Sequence, residues 1–160
     1  MGCCSTNNES DNKQILFEID NICNSCGNTA NKVEYKTVLM ILKNNSLQTA
    51  KPGNYFYCKN PDCNTVYFSN ELGLSYYKND VRIPIGIKET KEPKLICYCF
   101  DITEKQIKDE INLTGKSTAP DFITEKIKNK LCACNIKNPS GKCCLGDVKN
   151  VVASAASKIK

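Results

Sequence analysis

Cysteine is the residue type that carries chemistry in this sequence. Twelve of the 160 residues are cysteine and none is histidine. They fall in close pairs: Cys3–Cys4, Cys23-Asn-Ser-Cys26, Cys58-Lys-Asn-Pro-Asp-Cys63, Cys97-Tyr-Cys99, Cys132-Ala-Cys134 and Cys143–Cys144. Disulfides and metal compete to explain such a density. Disulfide frameworks belong to oxidising compartments and follow a secretory signal. The N-terminus MGCCSTNNESDNK has neither a basic n-region nor an apolar h-region. The expectation is therefore a cytoplasmic protein with reduced thiols. Cysteines this close rarely bridge each other, but they chelate metal well. Without histidine there is no His-ligated zinc, no Rieske-type cluster and no imidazole acid–base catalysis. Thiolates select zinc, Cu(I) and iron–sulfur clusters over hard cations.

The first constellation is Cys23, Cys26, Cys58 and Cys63. A C-x2-C loop sets two sulfurs on one side of a tight turn, and the C-x4-C loop does the same around Pro61-Asp62. Two such knuckles make a tetrahedral S4 site, with about 2.3 Å per Zn–S bond. Gly27 follows Cys26 and suits the positive φ that knuckles need. Four cysteines fill the coordination sphere, so the zinc expected here is structural. A rubredoxin-like iron site uses similar knuckles. A redox CxxC at Cys23/Cys26 would need a βαβ pattern, which is absent.

The second constellation holds six cysteines: Cys97, Cys99, Cys132, Cys134, Cys143 and Cys144. A [2Fe–2S] cluster needs four thiolates, two on each iron. The Asn138-Pro-Ser-Gly141 turn stands before the last cysteine pair and a helical segment. A helix N-terminus there offers free N–H groups and partial positive charge to an anionic cluster.

The elements that position these cysteines read as α+β. A small mixed α/β zinc-knuckle domain (14–86) is followed by a small helical [2Fe–2S]-binding domain (96–160). Residues 1–13 read as a disordered tail, and the charged, proline-bearing 87–95 as a linker. Gln14–Ile19, Lys32–Tyr35, Leu74–Tyr77 and Val81–Ile85 look like strands. Thr37–Leu42 is a buried helix whose face Leu47 continues. Tyr55–Tyr57 and Thr65–Phe68 form a hairpin around the second knuckle. Thr103-Glu-Lys-Gln106 is a capping box ahead of Ile107 and Ile111. A second helix has Pro120 near its start and Ile123, Ile127 and Leu131 at i, i+4 and i+8. A third runs from about Lys142 to Lys158, with Val148, Val151, Val152 and Ala155 on one side. So small a helical unit needs a staple, which a metal cluster supplies.

The segment CYCFDITEKQI and the GKC before the last helix resemble the bacterioferritin-associated-ferredoxin type of [2Fe–2S] domain, over about residues 95–155. That family's second pair is C-x2-C, and its first position here is Ser140, so Cys132 or Cys134 must supply the missing ligand. The whole arrangement is similar to the N-terminal half of CopZ-type copper chaperones. The matching words are ICNSCG, YFYCKNPDCNTVYF, PKLICYCFDITEK and CNIKNPSGKCCLGDV. That resemblance implies one zinc at the first constellation and a [2Fe–2S] cluster on Cys97, Cys99, Cys134 and Cys144. Cys143 and Cys132 are the alternates. Those chaperones continue into a copper domain with an M-x-C-x-x-C loop, which this sequence lacks, so the expectation is a function without copper transfer.

Function classes narrow accordingly. The net charge of +5 is scattered, with no basic block among aromatics, so nucleic acid is not an expected partner. No apolar run is long enough to span a membrane. Met1-Gly2-Cys3-Cys4-Ser5-Thr6 matches a myristoylation pattern, while vicinal Cys3–Cys4 on a tail is also a possible soft-metal capture site. No nucleophile elbow or phosphate-binding glycine loop is present, so no enzyme is expected. The expected function is an iron–sulfur and zinc protein acting in electron transfer or copper handling, with a redox or metal-handling protein partner and Cu(I) or Cu(II) as cargo. The alternative is a non-redox zinc or Cu(I) regulatory or interaction module.

Overall fold

The computed structural model describes residues 21–158. The expected strand Gln14–Ile19, the tail 1–13 and Cys3–Cys4 lie outside the described residues.

An antiparallel sheet comes first and helices follow, so the chain is α+β. Strands β1 (Asn31–Val33), β2 (Tyr55–Tyr57), β3 (Thr65–Ser69) and β4 (Leu74–Tyr77) lie side by side in sequence order. The β2–β3 hairpin sets Phe56 opposite Phe68 and Tyr57 opposite Tyr67. Side chains alternate across a pleated sheet, so the aromatics sort by face. Phe56 and Phe68 stack with centroids 5.7 Å apart, and Tyr57 and Tyr67 pair at 5.9 Å. Helix α1 (Tyr35–Ile41) covers the tyrosines through Val38 and Ile41, and the cysteine loops cover the phenylalanines. Coverage on both sides explains why β2 and β3 are buried along their whole length and read as continuous apolar runs.

Three expectations in this half are corrected. Leu47 does not extend α1. The backbone turns extended at Leu42, and Asn44–Leu47 is a separate turn, α2. Nor is Val81–Ile85 a strand. Only Val81 pairs, as an isolated bridge to Leu42. The Arg82 N–H goes to the Ile41 carbonyl and its guanidinium to the Leu42 carbonyl, so this segment caps α1 instead. Pro84 has no N–H to give a ladder. Likewise Lys32–Tyr35 divides, with β1 ending at Val33 and Tyr35 opening α1.

The C-terminal half opens with a small hairpin, β5 (Leu95–Cys97) and β6 (Ile102–Thr103), which the helical reading did not contain. Helices α3 (Glu104–Thr114), α4 (Ala119–Lys128), α5 (Cys134–Lys137) and α6 (Leu145–Ser157) follow. The capping box is in place: Thr103 Oγ1 accepts from the Gln106 N–H, and Gln106 Oε1 accepts from the Thr103 N–H. Pro120 stands in the first turn of α4. Ile107, Ile111, Ile123, Val148 and Ala155 share a core with Cys97 and Cys144. Leu131 does not join it and is 58% exposed. Helix α4 stops at Lys128 and Lys130 takes a φ of 55°, so the expected i+8 position has left the helix.

The halves meet through two buried donors. Thr37 Oγ1 donates to the Asn135 carbonyl at 2.6 Å, and Tyr67 Oη donates to the Pro139 carbonyl at 2.5 Å. Where the segment read as a linker begins, Gly86–Lys88 forms one 3-10 turn and Lys88 is buried. Among the described residues no helix is long and apolar enough to cross a membrane.

Candidate metal centres

The first knuckle precedes β1. It is closed by the Gly27 N–H donating to the Cys23 carbonyl at 2.7 Å, with Gly27 at a φ of 72°. The second knuckle is the loop of the β2–β3 hairpin, where the Cys63 N–H donates to the Asn60 carbonyl. The sheet holds the first knuckle in place. Ser25 Oγ and Thr65 Oγ1 share a hydrogen bond at 2.7 Å, and Asn70 Nδ2 donates to the Ile22 carbonyl at 3.0 Å. The sulfurs of Cys23, Cys26, Cys58 and Cys63 then all lie within 4.8 Å of one another. Among the described residues they are the one such group of three or more ligand-type side chains.

The spacing decides what this group can hold. Two sulfurs on one tetrahedral ion, at about 2.3 Å each, stand about 3.8 Å apart. Cys23 and Cys63 are 3.9 Å apart, and Cys26 and Cys58 are 3.7 Å apart. The donor set and its dimensions fit Zn²⁺. Burial pushes the Cys26 thiol up, but hydrogen bonds from the Asn28 backbone N–H and from Asn60, Cys23 and Cys58 outweigh it and bring it down to about 7. Burial pushes Cys58 up to about 12, against the pull of the Asn60 N–H and the Lys88 charge. A metal ion replaces these protons when it binds.

The other six cysteines gather between the β5–β6 hairpin, α5 and α6. Cys97 ends β5, Cys99 follows in the hairpin loop, Cys134 opens α5 and Cys144 caps α6. They associate as two pairs. Cys99 and Cys134 sulfurs are 3.6 Å apart, and the Cys97 and Cys144 thiols are near enough to shift each other's titration. The Cys144 thiol, with the Phe100 and Cys99 backbone N–H groups, holds Cys97 down to about 6 against burial. The Cys97 thiol and burial push Cys144 far up. Burial and the neighbouring Cys99 thiol push Cys134 up to about 12. The Ala133 N–H donates to Cys99 Sγ at 3.3 Å.

Cys132 and Cys143 stand outside the pairs. Cys143 is exposed and lines a cleft of about 500 Å³ between the two halves, with Tyr57, Lys59, Tyr98 and Asp147. Two supporting residues carry no sequence signal. Asn70 clamps the first knuckle, and Lys88 reaches the second with a stem that looks like any surface lysine in a charged run.

Residues 20–82 match the CopZ-type zinc-binding domain family. The copper chaperone CopZ of Archaeoglobus fulgidus is 36% identical over 92 residues, covering 58% of this chain and 43% of that protein. The match thus spans less than half the length of that relative. In three dimensions the chain is similar to the X-ray structure of the Archaeoglobus fulgidus CopZ N-terminal domain. The TM-score is 0.68 at 29% identity, over 81% of this chain and 95% of that domain. In sequence and in fold the chain is thus similar to the N-terminal portion of a CopZ-type protein.

Proposed function

We propose that this CopZ-like chain serves soft-metal handling with two thiolate centres, a structural zinc and a [2Fe–2S] cluster. Zinc is held by Cys23, Cys26, Cys58 and Cys63, and with four protein ligands it has no open position for water. Its role is to tie both knuckles to the end of the sheet. The cluster is held by Cys97, Cys99, Cys134 and Cys144.

One observation carries the second centre: these four thiols form two pairs, not a tetrad. Cys99 and Cys134 lie 3.6 Å apart, and the Cys97 and Cys144 thiols are near enough to shift each other's titration. Two irons, each with two thiolates, need that arrangement, whereas a single tetrahedral ion needs four sulfurs within one small sphere. The surroundings fit an anionic group. Cys144 is at the N-terminus of the thirteen-residue α6, where the helix dipole favours negative charge. Backbone N–H groups of Ala133 and Phe100 reach Cys99 and Cys97. Such hydrogen bonds to sulfur tune a cluster's potential. When bound, the cluster supplies one electron at a time.

The similarity to a copper chaperone brings copper into the proposal as cargo. Thiolates prefer Cu(I) to Cu(II). Residues 96–144 would supply single electrons for that reduction or to a metal-handling partner, without catalysis on an organic substrate. The test uses anaerobic protein, reduced with dithionite and freed of excess reductant. It is given one equivalent of Cu(II) in the presence of a Cu(I)-specific chromophoric chelator. One Cu(I) per cluster, with return of the oxidised cluster's visible absorption, is the expected result. Cu(II) left unreduced would sink the redox role. A colourless protein carrying extra zinc would instead support the non-redox zinc or Cu(I) module.

A further inference from the structure

Lys88 is the one buried charged side chain among the described residues, 4% exposed. Its Nζ donates to the Asn60 carbonyl at 2.6 Å and to the Cys63 carbonyl at 3.0 Å, both in the C-x4-C knuckle. A buried ammonium is costly unless opposite charge faces it. None of the ion pairs of the described residues involves Lys88: Glu89 pairs with Lys78, and Glu104 with Lys94 and Lys108. The groups whose charge acts on its ammonium are Cys58, Cys63, Cys23 and Cys26, in that order. Four thiolates on one Zn²⁺ leave a net charge of about −2. The zinc-loaded site therefore presents excess negative charge to this one buried cation.

The same short turn reaches the other thiol group. Lys88 belongs to the 3-10 turn Gly86–Lys88. The Gly86 N–H donates to Tyr98 Oη at 2.8 Å, and Tyr98 lies between Cys97 and Cys99. A Cβ at position 86 would stand 1.9 Å from the Leu95 carbonyl oxygen, so the turn packs backbone to backbone on β5. From the zinc knuckle to the Cys97–Cys99 loop there is one ammonium, one turn and one phenol.

We propose that Lys88 is a positioning residue for the zinc centre, and that the Gly86–Tyr98 hydrogen bond ties it to the loop carrying Cys97 and Cys99. Its first half concerns the zinc site alone, and the meaning of its second half for a cluster rests on the reading above. Lys88→Met keeps the stem and removes the charge. In competition with a chromophoric chelator, its zinc affinity should fall about 10- to 100-fold, the usual effect of losing a residue that supports metal ligands. In Co(II)-substituted protein, the thiolate-to-cobalt charge-transfer bands should move to lower energy, because thiolates relieved of a neighbouring cation give up an electron more easily. A lysine that merely packs would leave those bands in place. Unchanged affinity and unchanged bands overturn the proposal.

A measurement on the unaltered protein guards against a variant that does not fold. The Lys88 amine should resist acylation in zinc-loaded protein and become reactive once a chelator removes the zinc. Equal labelling in both states contradicts the assignment. Coupling is tested with Tyr98→Phe, which removes only the phenol oxygen. The Lys88→Met/Tyr98→Phe double variant should bind zinc no more weakly than Lys88→Met alone, whereas losses that simply add refute the link. All these readouts concern zinc, so they hold whether or not iron is present. Failure of the cluster reading shows separately, as a colourless protein.

Discussion

Tyr67→Phe tests how the two halves are held together. Tyr67 is fully buried and donates to the Pro139 carbonyl at 2.5 Å. Burial pushes its phenol well above the ordinary value, as expected where water is excluded. Pro139 is itself buried, so its carbonyl has no solvent to turn to when the phenol oxygen is gone. Phenylalanine fills the same space. The loss is thus one hydrogen bond plus an unsatisfied buried acceptor, about 1–3 kcal/mol. At roughly 2–4 °C per kcal/mol for a chain of this size, Tm should fall by about 2–12 °C. Thr37→Val removes the matching bond to the Asn135 carbonyl, 2.6 Å away. Asn135 is exposed, so water can take over there, and the cost should be smaller, about 0.5–1.5 kcal/mol. Urea unfolding of zinc-loaded protein, with midpoints compared at constant m, measures both. A Tyr67→Phe midpoint equal to the unaltered protein's, or a Thr37→Val loss larger than the Tyr67→Phe loss, would refute the reasoning.

Serine at Cys97, Cys99, Cys134 or Cys144 should abolish or shift the visible absorption of anaerobically purified protein, while Cys132→Ser and Cys143→Ser should leave it in place. The reverse pattern would exchange the ligand list for its alternates. Ile123 is fully buried in the helical core and Ile127 is 38% exposed. Ile123→Ala should therefore cost about 2–5 kcal/mol in urea melts and Ile127→Ala clearly less. Glu110 takes hydrogen bonds from the Thr118 and Ser117 hydroxyls and the Thr118 N–H, which hold its carboxyl below the ordinary 4.5. A depressed folded pKa contributes stability above the ordinary value and loses it as pH falls through the folded one. The melting temperature should drop across that acid window, and Glu110→Gln should flatten that part of the decline.

What could be read in advance was whatever depends on neighbours in the chain. The knuckles, the β2–β3 hairpin, the Thr103–Gln106 box and Pro120 in the first turn of α4 all rest on contacts within a few residues. The misses come from partners far along the chain. Val81–Ile85 alternates like a strand, yet α1 claims its Arg82 N–H and guanidinium. Leu131 keeps the helical period, but the backbone reverses at Lys130. Short α5 was hidden inside a cysteine loop, where packing against α1 and the Thr37 bond stabilise a turn too short to show periodicity. Lys88 looks like a solvated charge because nothing local reveals that a knuckle 25 residues away receives its ammonium. At the paired thiols, position in the sequence left six candidates for four places. Cys99 with Cys134 and Cys97 with Cys144 become partners only once β5, α5 and α6 converge.

The central claim is that eight of the ten described thiols build two different centres, one a tetrad and one a double pair. Metal and acid-labile sulfide analysis of protein prepared without air tests it most directly. One zinc, two irons and two sulfides per chain is the predicted composition. Two zincs with neither iron nor sulfide would contradict it.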